Sequence, residues 1–137
     1  MQRAELKFDG RTVLITGGAT GIGRATALAF AAARAAVLIG DIDPRAEDTV
    51  REIIASGGKA AFVKTDVSDS AQVKALVARA GSEFGSLDVA FNNAGLLPPT
   101  LPLAEQTEDE WARIMRVDVT GVFLCLKHEL VHMIWQT

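Results

Sequence analysis

The sequence predicts an α/β fold of the Rossmann type, in which a doubly wound parallel sheet carries helices on both faces. Short apolar runs rich in β-branched residues alternate with amphipathic stretches of helical period along the chain. Strands that alternate with helices in this way pair in parallel through right-handed crossovers. A glycine-rich segment joins the first strand to the first helix, where folds of this class make their tightest turn.

The composition predicts one domain and excludes several kinds of partner. Hydrophobic residues make up 49% of the 137 residues, which suffices for a single core, so we take residues 1–137 as one domain. A net charge of -3 without a basic run argues against nucleic acid and anionic membranes as partners. The charged N-terminus lacks a secretory signal, and Arg34 interrupts the most apolar stretch, Ala25 to Gly40. We therefore expect a cytoplasmic protein.

The first half of the chain predicts two strand–helix units. A β-branched run closed by glycines indicates a buried strand, and an Asp-Pro pair after the second run is typical of a helix start. Paired glycines then mark the end of that helix. The predicted elements are a strand over Thr12–Thr16, a helix from about Gly21 to Arg34, a strand over Ala36–Gly40, and a helix opened by Asp43-Pro44 and ended by Gly57-Gly58.

The second half predicts two further strands, a helix between them and a long helical segment after them. Ser68 is a candidate N-cap, and Thr107 with Glu110 fits a capping box. The predicted elements are a strand over Ala60–Val63, a helix with apolar positions Val73, Leu76, Val77, Ala80 and Phe84, a strand over Leu87–Phe91, and helix from Thr107 to the chain end.

The last helical segment combines an apolar stripe with a carboxylate. Asp118 is in line with the stripe, and a buried carboxylate is costly without partners, so this position needs an explanation beyond packing. The stripe consists of Trp111, Ile114, Met115, Val119, Val122, Phe123, Leu126, Leu130 and Met133.

The glycine-rich segment Thr16-Gly-Gly-Ala-Thr-Gly-Ile-Gly23 is a candidate phosphate-binding turn. A dinucleotide pyrophosphate would meet the N–H groups and the positive dipole end of the following helix there. Glycines also serve plain strand-to-helix turns. Asp41, at the end of the second strand, follows at nearly the spacing of an acid that accepts hydrogen bonds from ribose hydroxyls. A structural turn or cap is the alternative role for Asp41, and Asp43 competes for the ribose.

Several motifs together resemble the short-chain dehydrogenase/reductase family in its large NAD(P)-dependent branch. They are Thr16-Gly17-x-x-x-Gly21-x-Gly23, Asp66-Val67 after the third strand, Asn92-Asn93-Ala94-Gly95 after the fourth, and Val117-Asp-Val-Thr-Gly-Val-Phe-Leu124. The resemblance covers nearly all of the chain. It implies strand order 3-2-1-4 and an NAD-dependent oxidoreductase that transfers hydride between nicotinamide and a secondary alcohol or ketone.

The resemblance also implies roles for individual residues. A capped strand end is the structural alternative for Asn92-Asn93. The pyrophosphate would be lined by Gly17, Thr20, Gly21, Ile22 and Gly23, the adenine by Asp66 and Val67, and the nicotinamide side by Asn93, Ala94 and Gly95. Asp41 would repel the extra phosphate of NADP, and Thr20 stands where NADP-dependent members often carry a basic residue, so NAD is the expected coenzyme.

The chain departs from the family at the catalytic residues. Family members use a Ser and a Tyr-x-x-x-Lys pair on later elements, whereas this chain has no tyrosine. Asp118 stands at the family's Asn at the helix kink and is the one catalytic position carried over. We expect a truncated, incomplete domain with an unprotected fourth strand, inactive alone, either a fragment or dependent on a partner. The alternative is a non-catalytic nucleotide-binding or oligomerisation module.

Two further patterns have competing explanations. His128-Glu-Leu-Val-His132 matches the H-E-x-x-H spacing of zinc metalloproteases, but the chain has no third histidine, so we expect chance coincidence and no metal. The corresponding family helix often packs against another subunit, which favours interface histidines and a homo-oligomer. Cys125 is the single cysteine of the sequence, so an internal disulfide is excluded. We expect it to be a small buried hydrophobic residue rather than a nucleophile.

Overall fold

The computed structural model describes residues 6–136, so the N-terminal residues 1–5, where no secretory signal is predicted, lie outside the described part. Four parallel strands form one sheet in the order β3-β2-β1-β4, which confirms the predicted topology. The strands are β1 (Thr12–Thr16), β2 (Ala36–Asp41), β3 (Lys59–Lys64) and β4 (Val89–Asn92). The helices are α1 (Gly21–Ala32), α2 (Ala46–Ala55), α3 (Ser70–Phe84), α4 (Glu108–Met115) and α5 (Val122–Trp135), with a short 3-10 turn over Leu103–Glu105.

The sheet separates two hydrophobic clusters because successive strand residues point to opposite faces. On one face, Val13, Ile15, Val37 and Ile39 pack with α1 and α2, including Ile53. On the other, Leu14 and Leu38 pack with the apolar side of α3 and with Cys125 of α5; the α3 residues are Val73, Leu76, Val77 and Ala80. Helices on both faces of a parallel sheet give the predicted doubly wound arrangement.

The first two helices end where the backbone turns left-handed. Helix α1 stops at Ala32 rather than Arg34, because Arg34 has a φ of 74° and closes a Schellman motif with Ala35 bonded to Phe30. Helix α2 ends before Gly57, as predicted. It begins at Ala46, and Asp43 caps the preceding turn by accepting from the backbone N–H of Arg45.

Two predicted boundaries in the second half are wrong by one or two residues. Asp69, not Ser68, is the N-cap of α3, since its carboxylate accepts from the N–H groups of Ala71 and Gln72. Strand β4 begins at Val89 rather than Leu87. The reason is that the Asp88 carboxylate takes the N–H of Thr12, a donor that a strand backbone would otherwise pair.

The last helical segment is interrupted, and most of its apolar stripe is exposed. A π-helical turn over Arg116–Gly121 separates α4 from α5. Phe123 and Leu130 are 59% and 53% exposed, so the expectation of a buried stripe is wrong. The buried positions of α5 are Cys125 and Glu129 instead. Thr107 caps α4 as predicted, but the Glu110 carboxylate pairs with Arg113 and does not complete the capping box.

Candidate functional site

A cleft of about 1000 Å³ lies at the carboxyl ends of the strands. Strand register brings these ends level, because Thr16 pairs with Gly40 of β2 and with Asn92 of β4. The chain passes from β3 across to β4 at this point, and such a switch point is where doubly wound folds bind ligands. We call this space the switch-point cleft. The predicted site residues that line it are Gly17, Thr20, Gly21, Ile22, Asp41, Asp66, Val67, Asn93, Ala94 and Gly95.

The glycine turn is held against the end of β4 by Asn93. The Asn93 side-chain amide donates to the carbonyls of Thr16 and Gly17, each at 3.2 Å. In return, the Thr16 hydroxyl oxygen accepts from the backbone N–H groups of Asn93 and Ala94 at 3.0 and 3.1 Å. A Cβ at Gly17 would lie 2.9 Å from the Asn93 amide nitrogen. The close approach of these two segments therefore requires glycine at position 17.

Gly21 and Gly23 have different surroundings, although both belong to the predicted pyrophosphate turn. A Cβ at Gly23 would lie 2.0 Å from the carbonyl oxygen of Gly17, so this glycine packs α1 against β1. It does not line the cleft, unlike the other members of the predicted set. Gly21 has a φ of +57° and no atom within 4 Å of an added Cβ. Its free side borders the cleft.

The N-terminus of α1 is open toward the cleft. Thr20 is its N-cap in extended conformation, but no side chain accepts from the first helical N–H groups. The first N–H groups of a helix have no partner within the helix, and the helix dipole adds a partial positive charge there. These features fit a pyrophosphate, which supplies both negative charge and acceptor oxygens.

Asp41 stands at the cleft end of β2 with both carboxylate oxygens fixed. One oxygen accepts from the N–H of Ala19 at 3.0 Å and the other from the N–H of Asp43 at 2.9 Å. An ionised carboxylate has about four acceptor sites, so acceptor capacity remains for a ribose diol. Asp43 does not line the cleft and forms an ion pair with Arg45. The hydrogen bond from Arg45 holds the pKa of Asp43 below its usual value.

Asp66 and Val67 border the cleft across from Ile42. One oxygen of the Asp66 carboxylate accepts from both the N–H and the hydroxyl of Ser68. The backbone N–H of Asp66 donates to the Gln72 side chain at 2.8 Å. The loop after β3 is thus fixed by its own polar groups, and Ile42, 58% exposed, offers an apolar wall that the sequence analysis did not include.

Asp118 is not among the residues that line the cleft. It belongs to the π-helical turn, and its carboxylate accepts from the N–H of Leu96 at 2.7 Å. A Cβ at Gly95 would lie 3.3 Å from the same oxygen. The partner that a carboxylate on this helix requires is therefore the loop that follows β4. This geometry makes Asp118 a positioning residue for Gly95 and Leu96.

Two arginines of the cleft were missed by sequence reasoning. Arg113 and Arg116 both line it from the α4 side. Arg113 pairs with Glu110, which raises the pKa of the guanidinium through a side-chain hydrogen bond. Both arginines are far from the glycine turn in the sequence, so no local pattern marks them as cleft residues. Only the packing of α4 brings them to this edge of the sheet.

The histidine pattern on α5 does not form a metal site. His128 Nε2 lies 2.9 Å from the Ser70 hydroxyl, whereas the His132 ring packs against Gly81, about three turns further along α3. Glu129 points to the sheet side and is 2% exposed. Among residues 6–136, no group of three or more His, Cys, Asp or Glu side chains is placed to hold a metal ion.

None of the helices in the described range is both long and apolar enough to span a bilayer.

Comparison with known proteins supports the resemblance found in the sequence. A family model described as short chain dehydrogenase matches residues 11–137. Over 126 residues the chain is 48% identical to cis-4-hydroxycyclohexanecarboxylate dehydrogenase of Sinomonas cyclohexanicum, covering 92% of this chain and 51% of that protein. It is 45% identical over 127 residues to 2,5-dichloro-2,5-cyclohexadiene-1,4-diol dehydrogenase of Sphingobium indicum, with 93% and 50% covered.

A solved structure shows the same fold. The short chain dehydrogenase/reductase from Burkholderia phymatum, in complex with NAD, superposes with a TM-score of 0.87 at 36% identity, covering 93% of this chain and 45% of that one. The chain thus spans about half the length of the curated relatives it matches.

Proposed function

This chain belongs to the short chain dehydrogenase family, and from that premise we propose that residues 1–137 form a single domain whose switch-point cleft binds NAD. The observation that carries the proposal is the convergence of three groups on one cleft. They are the uncapped N-terminus of α1, the open side of Gly21 and the Asp41 carboxylate. A pyrophosphate, a ribose diol and an adenine would each meet a matching surface there.

Charge favours NAD over NADP. Asp41 stands where the adenosine ribose would lie, and the extra phosphate of NADP would be placed against this carboxylate. Thr20, at the end of the glycine turn, supplies no positive charge to offset that repulsion. The two cleft arginines belong to α4 and to the π-helical turn that follows it, not to β2 or the glycine turn. The relative solved with NAD supports the same choice.

For the whole protein we propose oxidoreduction between a secondary alcohol and the corresponding ketone. Bound nicotinamide supplies the hydride acceptor or donor. Two relatives are named for six-membered carbocyclic alcohols, which supports a small alcohol or ketone as substrate. Within this chain, Asn93 fixes the glycine turn, and Asp118 fixes the loop at Gly95 and Leu96 beside the cleft. Asp118 is our candidate at the family's catalytic asparagine position.

A second role, as an oligomerisation module, is favoured by the exposed apolar face of α5. Three exposed residues at helical spacing on this helix form the face, which we call the α5 face: Phe123, Leu126 and Leu130. A contiguous exposed apolar patch marks an interaction surface. We propose that it joins two copies of the chain, since a stripe along one helix can pair with itself across a two-fold axis.

Isothermal titration with NAD and NADP tests the nucleotide proposal. The unmodified chain should bind NAD at least tenfold more tightly than NADP. Asp41→Asn keeps one acceptor oxygen but removes the charge. NAD binding should therefore weaken by about 10-fold, and the ratio of NAD affinity to NADP affinity should fall. The matched control is Asp43→Asn, which changes a neighbouring carboxylate outside the cleft and should leave both affinities unchanged. If the unmodified chain bound NADP more tightly than NAD, the proposal would be wrong.

A further inference from the structure

A carboxyl group is buried on the sheet-facing side of α5, outside the switch-point cleft. Glu129 is 2% exposed, and its Oε2 accepts a hydrogen bond from the Asn92 side-chain amide at 2.8 Å. Two oxygens of this pair, Glu129 Oε1 and Asn92 Oδ1, are buried without a hydrogen-bond partner. Both are acceptors when the glutamate is ionised, so they cannot bond to one another.

A single proton would give both unpaired oxygens a hydrogen-bond partner. On Glu129 Oε1 it converts that oxygen into a donor, and Asn92 Oδ1 is the unpaired acceptor on the same partner side chain. Buried polar groups are nearly always paired, and an unpaired one costs most where no water reaches it. Acid and amide would then be joined by two hydrogen bonds, N–H to Oε2 and O–H to Oδ1.

We propose that Glu129 is a neutral carboxylic acid in the folded protein and that it forms a two-bond acid–amide pair with Asn92. This pair joins α5 to the last residue of β4. The next residue, Asn93, holds the glycine turn, so Glu129 is a positioning residue for the cleft wall. The charge state itself does not depend on whether the cleft binds NAD.

Among residues 6–136, no charged side chain contributes to keeping Glu129 ionised. Burial raises the pKa of Glu129, and the Asn92 hydrogen bond opposes this shift only in part. Cys125, one turn earlier, is a neutral thiol at physiological pH because burial raises its pKa to about 12. Helix α3 packs against α5 with apolar residues. The pKa of His128 is lowered by burial and then by the charges of Lys127 and of Lys74 on α3. In the π-helical turn, Asp118 is engaged by Leu96.

The proposal fixes the sign of a pH effect. Because the folded-state pKa is raised, the stabilisation from Glu129 is fully present below the unfolded value, about 4.5. It is lost as the pH rises through the folded value. Glu129→Gln removes the titration but keeps both bonds, since its amide can donate to Asn92 Oδ1 and its oxygen can accept from the Asn92 amide. Glu129→Leu fills the same space without either bond.

The direct test is carboxyl NMR on the 137-residue chain labelled with ¹³C at glutamate side chains. The Glu129 resonance is assigned as the signal that disappears in Glu129→Gln. At pH 7 it should show the shift of a protonated acid, whereas Glu110, whose pKa is lowered by the hydrogen bond from Arg113, should show a carboxylate shift. A carboxylate shift for Glu129 at pH 7, as a water-bridged ion would give, overturns the proposal.

Thermal unfolding against pH provides a second readout. Glu129→Gln should match the parent chain near pH 5 and become the more stable of the two as the pH rises toward 9, whereas Glu129→Leu should be less stable throughout. The control Glu105→Gln, at an exposed position, should follow the parent at every pH. A Glu129→Gln variant that is destabilised equally from pH 5 to pH 9 would contradict a neutral acid at this position.

Discussion

Gly21 and Gly57 share a left-handed backbone but differ in what surrounds them. Their φ values are +57° and +86°, and neither has an atom within 4 Å of an added Cβ. Gly21 borders the switch-point cleft, whereas Gly57 ends α2 away from it. Substitutions at these two glycines therefore distinguish the effect of backbone strain from the effect of blocking a ligand.

We predict that Gly21→Val and Gly57→Val each cost about 1–2 kcal/mol of unfolding free energy, because a side chain is strained at positive φ. Only Gly21→Val should abolish NAD binding, since its side chain would occupy the space proposed for the pyrophosphate. Urea unfolding measures the first effect and calorimetric titration the second. A folded Gly21→Val variant that binds NAD normally would leave the glycine turn with a structural role alone.

Cys125 has an environment that suppresses thiol chemistry. It is 1% exposed, and burial raises its pKa to about 12. A raised pKa favours the protonated thiol in the folded state, so its contribution to stability is present below the ordinary thiol pKa of 9.0 and is lost as the pH rises through about 12.

We therefore predict that iodoacetamide at pH 8 leaves Cys125 unmodified in the folded chain and labels it fully in guanidinium chloride, as mass spectrometry would show. The thiolate is the reactive species, and both burial and the raised pKa deplete it. Cys125→Ala with Ile54→Cys is the matched control, because position 54 is 54% exposed on α2, outside the α5 face, and should react under native conditions. Rapid labelling of native Cys125 would disprove the buried environment.

At the scale of elements, the sequence predicts the strands well because buried strands have strong local signals, whereas their order is predicted from the family resemblance. Thr12–Thr16 is β1 without correction, since all five residues are buried and β-branched or apolar. The start of β4 could not be predicted, because it depends on a hydrogen bond between Thr12 and Asp88, which are far apart in the chain. Boundaries are set by such tertiary contacts, whereas the existence of an element is set locally.

The orientation of the last helices illustrates a second limit. A stripe traced at 3.6 residues per turn from Trp111 to Met133 assumes one continuous α-helix. The π-helical turn over Arg116–Gly121 interrupts that period and rotates the faces of α4 and α5 relative to one another. The buried face of α5 therefore contains Cys125 and Glu129, while Phe123 and Leu130 of the predicted stripe are exposed.

We predict that the α5 face causes self-association. Leu126→Ser with Leu130→Ser should lower the sedimentation-equilibrium mass toward that of a monomer, because burying two leucines contributes roughly 1.5–3 kcal/mol each. The control is Leu97→Ser with Leu101→Ser, two exposed leucines of the β4–α4 connection outside this face. A parent chain that is monomeric at all concentrations would contradict the homo-oligomer, and the proposed role as an oligomerisation module with it.

At the scale of the molecule, the cleft is a product of topology more than of any one motif. Parallel strands ordered 3-2-1-4 place the ends of β1, β2 and β4 at one edge, so Gly17, Asp41 and Asn93 become neighbours although they are far apart in sequence. The glycine-rich turn and its spacing to an acid predict Gly17 and Asp41, and the family resemblance predicts Asn93. Arg113 and Arg116 have no such signal, and their place in the cleft wall follows only from the packing of α4.

We predict that the purified 137-residue chain binds NAD yet shows no alcohol or ketone oxidoreduction above background. Zero tyrosines leave the chain without the phenol that family members use for proton transfer. A positioned acid or base contributes about 10²- to 10⁴-fold in rate. Asp118 does not replace it, because its carboxylate is bonded to Leu96 and does not line the cleft.

The measurement is NADH absorbance during incubation with NAD and secondary alcohols, six-membered cyclic alcohols included, and the reverse assay with ketones. Orientation of a bound coenzyme alone can accelerate a reaction, so the assay needs a control that removes binding but keeps the fold. Gly21→Val serves for this, because no heavy atom beyond the adjacent residues and the helix backbone lies within 4 Å of a Cβ added at Gly21. Turnover that follows the chain through purification and disappears in Gly21→Val would prove the prediction wrong. It would also point to an acid–base group in the cleft wall, whose titratable side chains are Asp41, Asp66, Asp69, Arg113 and Arg116.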